Sequence, residues 1–241
     1  MKALIFTAGL ENSSMPRNAA SPKALIEING EPLLGMLIKR LAGYGFREII
    51  INVHHFADRI INFLNVNGNF GVKVVISDET DLHLDTGGGL SRVARFFNDG
   101  RPCLVYNLEI LTDIDLAALY EDHIKSTALV TIVVRKRRST RFMLFDNKLQ
   151  LCGWENIETG EVRNARPCCG DLYRYAFSRV QVIDPGIFKL ITEKGTFSLA
   201  ELYLRLAELY TIKGYPDNES IWMDLGKREG MIEAEKLFFK N

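Results

Sequence analysis

The chain has 241 residues, 47% of them hydrophobic and 25% charged, which is enough apolar material along its whole length to bury a sizeable core and excludes a disordered or low-complexity protein. Thirty basic residues balance thirty acidic ones, so no net field draws the chain to nucleic acid or to an anionic membrane. No run approaches the ~20 apolar residues of a membrane span and the N-terminus lacks a secretory signal, which together predict a cytoplasmic protein with neither partner.

The first third alternates in type. Lys2–Ala8 (KALIFTA) reads as a strand that enters a polar loop through Thr7-Ala8-Gly9, and the chain becomes apolar again after Pro22-Lys23. Residues 32–45 are predicted as a helix, 47–55 as a strand, 56–65 as a helix and 72–78 as a strand. These strands are continuous Val/Ile/Leu runs, as expected where helices cover both faces of a parallel sheet.

Residues 84–97 (LDTGGGLSRVARFF) are predicted as a glycine-rich loop whose helix begins after Gly87, Gly88 and Gly89. Residues 103–109 follow as a buried strand and 113–126 as a helix, with Asp113 or Asp115 near its start. Beyond Ala128 the pattern turns antiparallel, through 128–134, 141–146, 149–156 and 174–184, before two closing helices around 198–210 and 228–239. The dense basic run Arg135–Arg141 (RKRRSTR) reads as a solvated strand end or hairpin, with a phosphate or partner contact as the alternative. Cys103, Cys152, Cys168 and Cys169 form no C-x-x-C and are expected as reduced, structural thiols. The fold class that results is a single α/β domain of three layers, with a mixed, mainly parallel sheet between helices.

An apolar strand running into a glycine-containing loop suits a nucleotide, because uncompensated loop amides can bind phosphate oxygens. Neither the dinucleotide fingerprint G-x-G-x-x-G nor the P-loop G-x-x-x-x-G-K-[ST] is present. In order along the chain stand Ala8-Gly9, Pro16 and Pro22-Lys23-Ala24-Leu25, then ING-EP-LL at 28–34, LDTGGGL at 84–90 and YNLEILTDIDL at 106–116. FSRVQVIDPGIF at 177–188 and IWMDLGKREGMIEAE at 221–235 complete the series. Taken together they resemble the sugar-1-phosphate nucleotidyltransferases, in particular the short uridylyltransferases acting on N-acetylmuramate 1-phosphate and the mannose-1-phosphate guanylyltransferases.

That resemblance implies a Rossmann-like, GT-A-type fold over residues 1–241, with a nucleotide-binding half at 1–127 and a sugar-phosphate-binding half at 128–241. It implies attack of a sugar 1-phosphate oxygen on the α-phosphorus of a nucleoside triphosphate such as UTP or GTP, with release of pyrophosphate, in a protein that could form a homo-oligomer. Such a transfer needs positive charge and accurate positioning more than covalent chemistry. By the same resemblance Lys23 and Arg17 are catalytic, and Ala8, Gly9, Asp85, Gly87, Gly88, Gly89 and Asn107 bind the nucleotide. Glu109 and Asp224 hold Mg²⁺ or Mn²⁺, while His54 and His55 are structural and Trp222 packs beside Asp224.

The chain departs from the family pattern where the triphosphate is handled. Glu11 stands where the family has its second glycine, Ser13 where it has an arginine, and Leu108 and Glu109 where it has Gly-Asp. Gly226-Lys227-Arg228 replaces Gly-Thr-Pro. Losing a preorganised cationic donor such as the arginine commonly costs ~10²–10³ in rate, unless Arg17 substitutes for it. A second reading is therefore a relative that binds nucleotide, nucleotide sugar or a protein partner without turnover. A glycosyltransferase would use a D-x-D motif, but Asp113-Ile114-Asp115 sits at a helix start, where capping accounts for it.

Overall fold

The computed structural model describes residues 1–7, 22–54, 56–79, 84–168, 170–226 and 230–234, and of Lys23 the backbone alone. In the first half β1 (Lys2–Phe6) precedes a small hairpin of β2 (Glu27–Ile28) and β3 (Glu31–Pro32), then α1 (Leu33–Gly43), β4 (Glu48–Val53), α2 (Ala57–Val66) and β5 (Lys73–Asp78). The hairpin turns at Asn29 and Gly30, both at positive φ (54° and 76°), the two-residue turn that suits paired strands. There follow α3 (Thr86–Val93), β6 (Cys103–Asn107), β7 (Ile110–Thr112) and α4 (Leu116–Lys125).

The second half adds β8 (Val130–Arg135), β9 (Arg141–Phe145), β10 (Leu151–Asn156), β11 (Glu161–Asn164) and the long β12 (Tyr173–Ile183). It closes with α5 (Leu199–Ala207), β13 (Ile212–Pro216), β14 (Trp222–Asp224) and a helical turn at 230–234.

One mixed sheet runs through both halves in the order β11-β10-β9-β12-β6-β1-β4-β5, with β8 and β13 branching from β12. β6, β1, β4 and β5 are mutually parallel, and β12 joins them antiparallel to β6, pairing Val180 with Tyr106. The continuous apolar runs have the expected physical cause. In β1, Ala3 and Ile5 enter a core shared with α1, α2 and α4, whereas Leu4 and Phe6 enter a second core shared with α3 and α5. Each face of the sheet is therefore covered, and the three-layer α/β/α expectation holds.

Two helix starts follow their sequence signals. Asp115 caps α4 by accepting from the amides of Ala117 and Ala118, and Ser198 with Glu201 forms a capping box on α5. Asp113 instead accepts from the Ile221 amide at 2.7 Å and holds the entry to β14. The D-x-D pair thus serves the fold.

Two expectations are corrected here. α3 begins at Thr86, so Gly87, Gly88 and Gly89 lie inside its first turns and not in a loop before it. A Cβ at Gly87 would meet the Phe197 ring at 2.4 Å, and one at Gly88 the Gly195 carbonyl at 2.6 Å, so their absence lets the helix seat against the 195–197 segment. The cysteines are corrected too: Cys152 and Cys168 are disulfide-bonded, their Cα atoms 6.4 Å apart. The amides of Ala165 and Arg166 both donate to the Cys152 carbonyl, which brings the two segments within bonding reach. Cys103 is a free, buried thiol, and Cys169 lies outside the described residues.

Candidate functional site

The site is built where the parallel strands end. β6 stops at Asn107, and after a two-residue turn β7 pairs antiparallel with β14, matching Ile110 with Asp224. The amide of Leu225 donates to the Glu109 carbonyl at 2.8 Å, so two carboxylates 115 positions apart in sequence become neighbours across one short ladder. Their placement at the carboxyl edge of the sheet is where open α/β folds bind ligands.

Both carboxylates are withdrawn from water, Glu109 to 1% exposure and Asp224 to 7%. Burial drives the Glu109 pKa upward, and the neighbouring Arg179 guanidinium pulls against that shift. One nitrogen of Arg179, Nη1, lies 2.7 Å from Glu109 Oε1 and 3.7 Å from Asp224 Oδ2. Asn107 donates to the same Glu109 oxygen at 3.4 Å, and Asp224 Oδ1 accepts from the Gly226 amide at 3.1 Å. Glu109 Oε2 is buried with no hydrogen-bond partner.

Glycine secures the Asp224 side of this arrangement. A Cβ at Gly230 would stand 2.1 Å from the Asp224 carbonyl oxygen, and one at Gly226 would stand 3.0 Å from its Oδ1. The helical turn at 230–234 therefore rests directly on the backbone of Asp224, a contact no other residue type permits.

A second layer of cations surrounds the pair. The Trp222 ring, whose Nε1 donates to the Ser178 carbonyl at 3.2 Å, has the Arg137 guanidinium 4.3 Å from its centroid and Arg135 at 6.0 Å. Arg135 donates to the carbonyls of Asn218 and Ser220, and Arg137 to those of Arg138 and Phe177. Burial lowers the Arg137 pKa, and the charge of Asp224 opposes the shift. The basic run is thus not simply a solvated strand end, since Arg135 is buried and Arg137 half-buried against the site.

Of the sequence-predicted residues, Glu109, Asp224 and Asn107 come together. Asn107 contacts the metal-candidate carboxylate, which makes it a positioning residue for Glu109. Asp85 is an exposed cap accepting from the Thr86 amide, and the amides of Gly87 and Gly88 both donate to the Phe197 carbonyl. Those two N–H groups are therefore spent inside the protein and are not offered to a ligand. The Leu108 side chain is buried in the apolar core and lines a cavity of about 280 Å³ beside α1. Lys23 opens a short 3₁₀ turn at Lys23–Leu25, while its side chain and Ala8, Gly9, Arg17 and His55 lie outside the described residues. His54 is buried at the end of β4.

Sequence reasoning missed Arg179, Arg135 and Arg137. For Arg179 the available signal was an arginine within the strand FSRVQVI, a segment already matched to a family pattern.

The donor chemistry suits a hard divalent cation. Glu109 Oε1 and Asp224 Oδ2 face the same Arg179 nitrogen, and the other Glu109 oxygen, Oε2, is buried and unpartnered. Mg²⁺ is usually bound through one or two protein carboxylates beside phosphate and water.

Comparison with known proteins agrees with this geometry. N-acetylmuramate α-1-phosphate uridylyltransferase of Neisseria meningitidis serogroup B is 36% identical over 121 residues, which span 50% of this chain and 52% of the relative. The protein of the same name from Caulobacter vibrioides is 26% identical over 97% of this chain and 95% of its own length. The solved UDP-glucose pyrophosphorylase of Acinetobacter baumanii superposes with a TM-score of 0.77 at 15% identity, covering 97% of this chain and 91% of that one. That likeness identifies the fold. The nucleotidyl transferase family model matches residues 5–145, more than half of the sequence, and includes the end of β1, the two glycine-bearing segments and Glu109. On that match, with the fold and the convergent carboxylates in accord, the chain belongs to the nucleotidyl transferase family.

Proposed function

We propose that the protein transfers a nucleotidyl group from a nucleoside triphosphate to a sugar 1-phosphate and releases pyrophosphate. The single observation that carries the reading is the convergence of Glu109 and Asp224 at the carboxyl edge of the parallel strands. The sequence relatives named above act, by their names, on a sugar 1-phosphate with a uridylyl donor, so UTP is the preferred triphosphate and GTP the first alternative.

In the transfer, a phosphate oxygen of the sugar 1-phosphate forms a bond to the α-phosphorus of the triphosphate, and the bond from that phosphorus to the bridging oxygen breaks. Glu109 and Asp224 would hold Mg²⁺ or Mn²⁺, which would supply positive charge against the repulsion between the two phosphates. The chain's own residues position and neutralise. Asn107 and the Gly226 amide orient the carboxylates, while Arg137 and Arg179 place cationic charge on the side from which the acceptor phosphate comes, within the half at 128–241. On the family resemblance, Lys23 and Arg17 are further catalytic cations, and Ala8, Gly9 and Asp85 are nucleotide contacts. A cytoplasmic setting supplies both substrates.

The test is a screen of pyrophosphate release from each nucleoside triphosphate with a panel of sugar 1-phosphates, in Mg²⁺ and in Mn²⁺. Release with UTP and at least one sugar 1-phosphate is expected. Silence across the whole panel, with nucleotide binding still measurable by calorimetry, would overturn the proposal in favour of a non-catalytic binder.

A further inference from the structure

Two buried carboxylates side by side need a cation, and here the chain itself provides one. Arg179 sits on β12 at a left-handed φ of 59°, within an irregularity that shifts the register with β8 between Phe177 and Gln181. An arginine rarely adopts that backbone conformation, which is strained and persists where surrounding contacts over-determine it. The bulge carries Arg179 to the end of β6, where its Nη1 faces both Glu109 Oε1 and Asp224 Oδ2. Arg135 and Arg137 are tied to backbone carbonyls and stacked on Trp222. Arg179 differs, since 42% of its side chain is exposed.

We propose that Arg179 and a divalent cation are alternative partners of the Glu109–Asp224 pair. The guanidinium neutralises the pair in the free protein, the ion enters only as that contact opens, and the released guanidinium turns its donors to phosphate. The buried, unpartnered Glu109 Oε2 supports this, because one guanidinium nitrogen leaves unmet a donor oxygen that an ion could take. A guanidinium also pairs readily with phosphate through its fork of N–H groups. The identity of the competing ion rests on the nucleotidyl-transfer reading; the competition itself does not.

The experiment titrates Mn²⁺ alone, followed by electron paramagnetic resonance, into the full chain and into Arg179→Gln and Arg179→Lys, with no nucleotide present. Arg179→Gln is expected to bind Mn²⁺ about 10- to 100-fold more tightly than the parent, corresponding to a pair held closed by Arg179 about 90–99% of the time. Arg179→Lys, which retains the charge, is expected to stay near the parent value. Adding Asp224→Asn to Arg179→Gln is expected to remove the gain. Equal affinity in the parent and Arg179→Gln, or weaker binding in Arg179→Gln while its circular dichroism is unchanged, would overturn the proposal. Because no substrate is involved, that result leaves the transfer reading standing, and a failed turnover screen leaves the competition standing.

Discussion

Glu109 shows how little of a site one residue discloses by itself. Its candidacy could be read from the order of segments along the chain, but not its burial, its orphaned oxygen or its arginine partner, which depend on groups 70 and more positions away. The reverse holds for Gly87 and Gly88, where a nucleotide-loop pattern was legible but the neighbour that explains them, Phe197, was not. Gly230 is the sharpest residue-scale test. Gly230→Ala places a methyl against the Asp224 carbonyl, so chemical denaturation is expected to show a loss of about 1–3 kcal/mol, accompanied by reduced turnover. Unchanged stability and rate would show that the 230–234 turn does not anchor Asp224. Glu79 offers a pH test. Burial raises its pKa above the ordinary carboxylate value, with Asn52, Arg92 and His54 opposing the shift. Its protonated form is therefore the one the fold favours, and stability is fully present below the unfolded pKa of about 4.3 and is lost as pH rises through the raised folded value. Glu79→Gln is expected to raise the melting temperature at pH 8 and to leave it unchanged near pH 4. An equal shift at both pH values would assign the effect to packing.

At the scale of elements, the parallel strands β1, β4, β5 and β6 were legible because burial on both faces leaves an unbroken apolar run, and α4 and α5 because their caps are written in local sequence. β7 and β14 were not. Each has three residues, and the partner that makes them strands lies more than a hundred positions away. The bulge in β12 that delivers Arg179 is likewise a property of pairing with two neighbours at once, to which single-strand periodicity is blind. The disulfide belongs to this scale, since it ties β10 to the segment that precedes β12. Reduction is expected to lower stability by about 2–4 kcal/mol, because the bond closes a loop of separation 16. Denaturation with and without dithiothreitol checks this, and coincident curves would show that the bond contributes nothing. The cytoplasmic expectation sharpens the point, because such bonds are uncommon in a reducing compartment.

Across the whole molecule, the two halves proposed from sequence meet within one sheet and one core. Val133, Val180 and Val182 of the second half share a cluster with Ala3, Ile5 and Ile51 of the first. A single cooperative thermal transition, with calorimetric and van't Hoff enthalpies equal, is therefore expected, whereas two resolved transitions would mean that the halves fold independently. The same continuity explains the site, since β6 and β7 bring Glu109 from one half while β12 and β14 bring Arg179 and Asp224 from the other. Its most direct test follows the label of an α-³²P nucleoside triphosphate into nucleotide sugar, comparing the parent with Asp224→Asn, a change of charge at nearly constant shape. Transfer by the parent and a fall of at least ~10²-fold in the variant is the predicted result. Equal labelling by both proteins would contradict the account.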